Sequence, residues 1–161
     1  AVPMAPAETL AQLELGCTQQ QAVDFFDSLP ALRADQLRGR WRGRGLNTAH
    51  PMDGLLESSG WYGKQFDDED SVHPLLFEVA GEIYPVEPQR GMPIDVTKRA
   101  SKPRARLREV AHRGVVSAAM IYDTQPIIDH FRRIDDHTIL GLMDARGMAM
   151  PYFFILDREE N

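Results

Sequence analysis

The residues of this 161-residue chain whose types could carry chemistry are five histidines, one cysteine and a few carboxylates set within apolar runs. His50, His73, His112, His130 and His137 show neither H-x-H nor H-E-x-x-H spacing, so no metal site is expected from them. Cys17, alone, can form neither an internal disulfide nor a cysteine metal cage. His50, next to Pro51 in a turn, is the leading histidine for acid–base work, although a turn histidine serves as readily as a hydrogen-bonding corner. Ile127, Asp129, Phe131 and Arg133 alternate with Ile128, His130, Arg132 and Ile134, so either face of this strand brings an ionisable group toward an interior. A buried carboxylate must find a cation or keep its proton. An inward Asp129 could then act as general acid or base, or anchor a ligand hydroxyl or amine; the alternative is a rim carboxylate paired with an arginine. Asp144 poses the same question at the end of its own run.

Lys64 follows Trp61-Tyr62-Gly63, and Tyr122 closes a run containing Ser117, Ala118 and Ala119. Small residues leave space, and Trp61, Lys64 and Tyr122 would give an apolar cavity its wall and its few polar contacts. Lys64 could equally extend outward beside an exposed edge. No Ser-His-Asp order, phosphate loop or dinucleotide fingerprint supports a hydrolase, kinase or dehydrogenase.

The element that must position these groups begins at Leu37. Leu37, Gly39, Trp41, Gly43 and Gly45 alternate with Arg38, Arg40, Arg42 and Arg44, a period of two that means a strand with an aromatic face and a guanidinium face. A helix would scatter the arginines and lose roughly 0.5–1 kcal/mol at each glycine. Residues 52–58 make a short helix placed as a lid, with Gly54 and Gly60 as hinges, and 61–66 return as a strand. Residues 75–79 and 82–86 form a hairpin, and 87–104 a long proline-bearing loop. Five further strand-like runs follow at 106–111, 115–122, 127–134, 138–143 and 152–157, separated by turn signals. Ahead of them, residues 1–17 read as a loose leader. A helix capped by Thr18 and stopped by Pro30 is expected to plug one barrel end with Phe25 and Phe26. The expected fold is mainly β, a single antiparallel up-and-down barrel of about eight to ten strands over residues 18–161.

Gly39-Arg40-Trp41-Arg42-Gly43 spells G-x-W-x-G, the signature of the GXWXG protein family. Residues 48–56, 61–66 and the run from Ala119 to Gly147 also resemble that family and its usual C-terminal companion domain of unknown function, as blocks 37–86 and 105–158. The motif is similar to the first strand of lipocalins, fatty-acid-binding proteins and nitrobindin-like proteins, which implies a calycin-like barrel around a ligand cavity. The lipocalin resemblance further implies that Trp41 sits at the closed end under an arginine near the last strand, for which Arg158 is placed. By the nitrobindin likeness a single histidine could hold a haem, a lesser alternative because no histidine falls on the last strand.

A net charge of −6 argues against general nucleic-acid binding, and the arginines of the first strand then read as a solvated outer face. No apolar run approaches the ~20 residues that cross a bilayer, and the chain reads as cytoplasmic. The expected function is binding of a small apolar or amphipathic ligand, fatty-acid-like or terpenoid-like, with no cofactor. Trp61 and Tyr122 would line the cavity, and His50, Lys64 and Asp129 would orient the ligand's polar end. The alternative is a cofactor-independent lyase, isomerase or cyclase in the same barrel, with Asp129 or His50 as acid and base.

Overall fold

The alternation of arginine and glycine does form a strand, and it sets the inside and outside of a barrel. In the computed structural model, which describes residues 3–160, the chain runs through α1 (Pro6–Leu13), α2 (Gln19–Ser28), a 3₁₀ turn (Ala34–Leu37), β1 (Gly39–Gly45), α3 (Leu55–Ser58), β2 (Trp61–Phe66) and β3 (Val72–Val79). It continues through β4 (Glu82–Pro85), β5 (Ala105–His112), β6 (Val115–Tyr122), β7 (Ile127–Arg133), β8 (Thr138–Ala145) and β9 (Tyr152–Arg158). Eight strands close an antiparallel barrel in chain order, β9 pairing back onto β1, while β4 hangs from β3 as an extra strand. This is the up-and-down arrangement that the strand spacing implied and the calycin-like barrel that the family resemblance implied. Among the described residues, no helix is long and apolar enough to cross a membrane.

On the inner face of β1, Trp41 is 1% exposed, and its indole N–H donates to the Leu37 carbonyl at 2.8 Å. Arg158 lies over the ring, 4.3 Å from its centroid, and donates to the Arg38 and Gln36 carbonyls at 2.6 Å each. One guanidinium thus covers the tryptophan and ties the strand to the 3₁₀ turn. Arg158→Ala removes the cover and both bonds, and should cost about 1–3 kcal/mol in chemical denaturation; a loss below a few tenths would make the stack ornamental. On the outer face, Arg40 grips Glu159 through two bonds of 2.7 and 2.6 Å, and Arg44 pairs with Glu14 and Asp157. The guanidinium face is ion-paired as well as solvated.

The glycines beyond Trp41 matter by leaving space. A side chain at Gly43 would collide with the Trp61 indole, one at Gly45 with the Tyr152 hydroxyl, and one at Gly141 with the Phe154 ring. Each aromatic lies across a neighbouring strand's glycine, so rings from β2 and β9 fill the inner wall where β1 and β8 contribute no side chain.

A second apolar layer lies outside the barrel. Phe25 and Phe26 of α2 pack with Leu10 of α1 against Leu140, Leu142, Phe153 and Ile155. Burying a phenylalanine contributes about 1.5–3 kcal/mol, enough for two of them to hold α2 in place. The helix therefore sheathes the barrel wall instead of plugging its end. Its start is the Thr18–Gln21 capping box. At its end, buried Arg132 donates to the Phe26 and Leu29 carbonyls at 3.1 and 3.0 Å. The loose-leader reading of 1–17 also gives way in part, because Pro6–Leu13 is helical and buries Leu10.

Closure is uneven around the barrel. β3 meets β5 through one register pair, Val72↔Ala105, because the far half of the same β3 edge is taken by β4. The chain from β4 to β5, residues 87–104, leaves that edge and returns to it, its base held by a Val86↔Arg99 bridge and an Ala100 N–H to Pro85 carbonyl bond of 2.9 Å. Its midsection folds across the barrel mouth.

Candidate functional site

The mouth opens into a cavity of about 180 Å³. Its wall is aromatic and aliphatic, including Trp61, Tyr122, Tyr152 and Phe154, and its roof comes from two places. Met52 and Leu56 descend from the α3 segment, and Pro88, Met92 and Ile94 from the 87–104 loop. The short helix expected over 52–58 is thus present but helical only over Leu55–Ser58, and it shares the mouth with the loop.

Two charges are buried in this apolar wall. Lys64 Nζ stands 3.0 Å from Asp129 Oδ2, with side-chain exposures of 3% and 1%. Register explains the meeting: β7 turns Asp129 and Phe131 inward and His130 outward, while Lys64 faces inward beside Trp41 on β1. Lys64 also donates to the Pro74 carbonyl at 3.0 Å, and its ammonium lies over the rings of Phe154, Trp61 and Tyr122 at 5.2, 5.8 and 5.8 Å. Three ring faces, a carboxylate and a carbonyl make a niche for a cation. Asp129 is under opposed influences: burial raises its pKa, and Lys64 pulls it back, leaving it above the usual aspartate value. Its second oxygen, Oδ1, is buried with no hydrogen-bond partner. Burial, then the Asp129 charge, pushes the Tyr122 hydroxyl well up, so it stays a protonated donor. Tyr152, on the same wall, also has an unpartnered hydroxyl, held neutral by burial and by the carboxylates Glu57 and Asp53.

His50 is elsewhere. Its Nδ1 accepts the Met52 N–H at 3.0 Å, so Nε2 carries the proton and faces the Met150 carbonyl at 3.0 Å. Both nitrogens are occupied and the ring does not line the cavity, so the structure does not bring His50 together with Lys64 and Asp129 as expected. It is a corner that positions, its ring edge-on to Tyr152 at 5.5 Å. Among the described residues no histidine lines the cavity, and about 180 Å³ is far too small for a haem. The residues do not fit that group.

Comparison with protein-family models finds the GXWXG protein over residues 24–81 and a domain of unknown function (DUF4334) over residues 103–158. No curated protein matches the chain. A solved structure, described as the crystal structure of a protein from Thermomonospora curvata, is 39% identical, covers 98% of this chain and 100% of its own, and superposes with a TM-score of 0.80. The chain belongs to the GXWXG family. The first match begins earlier than the block expected at 37–86, taking in α2's phenylalanines, and both stop short of the loop at 87–102. In this GXWXG chain the signature is structural: its tryptophan closes the barrel floor and its second glycine makes room for Trp61. The cavity joins the two matched segments, since Trp61 and Lys64 come from the first and Tyr122, Asp129 and Phe154 from the second.

Of the residues singled out from sequence, Trp61, Lys64, Tyr122 and Asp129 share one cavity and His50 does not. Tyr152, Phe154 and the loop's methionine and isoleucine were missed. Tyr152 and Phe154 had a signal, for they alternate on a strand with a glycine opposite; Met92 and Ile94 had none, lying in an irregular loop. A further group was also missed: His112, His130 and Asp144 gather on the outer wall. The sequence spacing held no hint of it, because the three come from β5, β7 and β8.

Proposed function

We propose that this protein binds a compact, largely apolar molecule bearing one hydroxyl or amine, with that group donating to Asp129 Oδ1 inside the barrel. The observation that carries the reading is the unpartnered carboxylate oxygen beside Lys64 in an aromatic-walled cavity. An unmet buried acceptor costs about 1–3 kcal/mol, and a ligand donor would recover it. The volume bears on size. An apolar cavity of roughly 150 Å³ takes one benzene ring, so this one, at about 180 Å³, suits a molecule of about one substituted ring better than an extended fatty-acid chain. Longer ligands would have to lift the 87–104 loop.

A second reading has its own support. Asp129 and Tyr122 converge with Lys64 on one space, the carboxyl and the phenol both held toward their protonated forms by burial, and such a cluster offers the groups that acid–base isomerisation, cyclisation or elimination needs. Native mass spectrometry of freshly purified protein should release a retained small molecule. With that compound in hand, Tyr122→Phe leaves the ion pair intact and Asp129→Asn removes its carboxylate. A binder loses roughly tenfold in affinity in the aspartate variant and forms no product. An enzyme loses about 10²–10⁴ in turnover while the compound still binds. Unchanged affinity and no turnover in either variant would put the ligand outside this cavity.

A further inference from the structure

The outer wall carries a second polar group that the cavity does not use. His130 points away from the barrel interior, its side chain 4% exposed, and its Nε2 is buried without a hydrogen-bond partner. The nearest acidic atom, Asp144 Oδ2, stands 3.8 Å away, too far for a hydrogen bond. The His112 ring stacks on the His130 ring at 3.8 Å between centroids and 9° between planes. Stacking satisfies the faces of both rings and leaves the nitrogens at their edges free. One ligating atom from each of the three residues falls within 4.8 Å of the other two.

We propose that His112, His130 and Asp144 form a binding site for a divalent transition-metal ion of the zinc class on the outer wall of the barrel. Atoms that share one such ion at ~2.1 Å each stand roughly 3–4 Å apart, so the His130–Asp144 separation already suits a common ion. The stacked rings aim their lone pairs in nearly parallel planes, so the half-buried His112 side chain leaves the stack to bring the third ligand in. Two imidazoles and one carboxylate favour zinc and its neighbours over magnesium or calcium, which take oxygen ligands. The ligands stand on three strands of one closed sheet, a mounting too rigid to collapse without the ion. The surface beside them is a depression bounded by Val23 of α2 and by Met148 and Pro151, to which His112 and Asp144 both contribute. A three-residue set leaves a coordination position free there, for water or a further ligand.

The test uses the full chain without added histidines, stripped with chelator and titrated with zinc chloride by calorimetry, and separately with cobalt(II) chloride under visible absorption. One ion per chain is expected, with cobalt bands of low coordination number. Asp144→Asn and His112→Asn change exposed or half-exposed side chains and should fold. Each should weaken uptake by no less than the roughly 10–100-fold that even outer-shell changes cost. His137→Asn, in the β7–β8 turn, should leave it unchanged. Absence of stoichiometric uptake by the unaltered chain, undiminished affinity in Asp144→Asn, or equal loss in His137→Asn would each overturn the proposal.

Discussion

Lys64→Met is expected to lower the stability of the fold by about 3–5 kcal/mol, and Asp129→Leu by a similar amount, whereas the double variant should return to within about 1 kcal/mol of the starting protein or exceed it. Each single change leaves one buried charge without its partner. The double change replaces both with apolar groups of like size, in a wall already lined by Trp61, Tyr122 and Phe154. At roughly 2–4 °C per kcal/mol, thermal melts will separate the singles from the double. The Lys64→Met loss should also shrink as pH falls. Without the ammonium, burial alone acts on Asp129 and raises its folded pKa above the unfolded value. Protonation then stabilises the native state, and that gain disappears as pH rises through the folded pKa. A double variant as unstable as the singles would mean that the pair holds the barrel together. Recovery of stability without ligand binding would mean that the pair is kept for what it binds.

Gly63→Ala should be among the most damaging single substitutions in the chain, at about 3 kcal/mol or more. A Cβ at Gly63 would overlap the backbone carbonyl of Trp41 on the neighbouring strand. Backbone cannot rotate aside as a side chain can, so β1 and β2 must separate where Arg42 pairs with Gly63 and Trp41 with Lys64. Gly114→Ala is the control. It occupies the left-handed region at φ +79° in the β5–β6 turn, with no atom within 4 Å of an added Cβ, so only the local penalty of about 1–2 kcal/mol applies. Urea unfolding of the pair checks this directly; equal losses would show that conformation, not the close approach, dominates at Gly63.

Much of the barrel was legible because strand alternation is a local signal. The 37–45 run, the hairpin at Gly81 and the meander after residue 105 all matched observed strands to within a few residues. The Trp41–Arg158 stack followed from the lipocalin resemblance. What could not be read was which partner covers each face. β7 has no clean apolar side because both sides are largely covered: Asp129 turns into the cavity, His130 turns out beneath the His112 ring, and Arg132 turns out beneath α2. A plug and a sheath have the same helical sequence, so the place of α2 was misjudged. His50 looked reactive because its residue type is, but a turn can consume both ring nitrogens, and this one does. Inward groups on Lys64 and Asp129 were visible separately. Their pairing is a matter of shear around a closed sheet, which no single strand encodes.

For a ligand bound as proposed, strength of binding and speed of exchange would fall to different parts of this molecule. The contacts that would set affinity lie on β2, β6 and β7, within ladders of three or more paired positions on the barrel wall. The mouth lies elsewhere, under Met52 and Leu56 and the 87–104 loop that crosses it. A guest can leave there while the ladders stay intact, so residence time becomes a property of the loop. Cross-linking that loop to α3 would lengthen the stay of a bound molecule by slowing arrival and departure together, at an almost unchanged equilibrium constant. Changes at Asp129 would move the equilibrium constant chiefly through departure. The fold can therefore tune its clock and its grip one at a time.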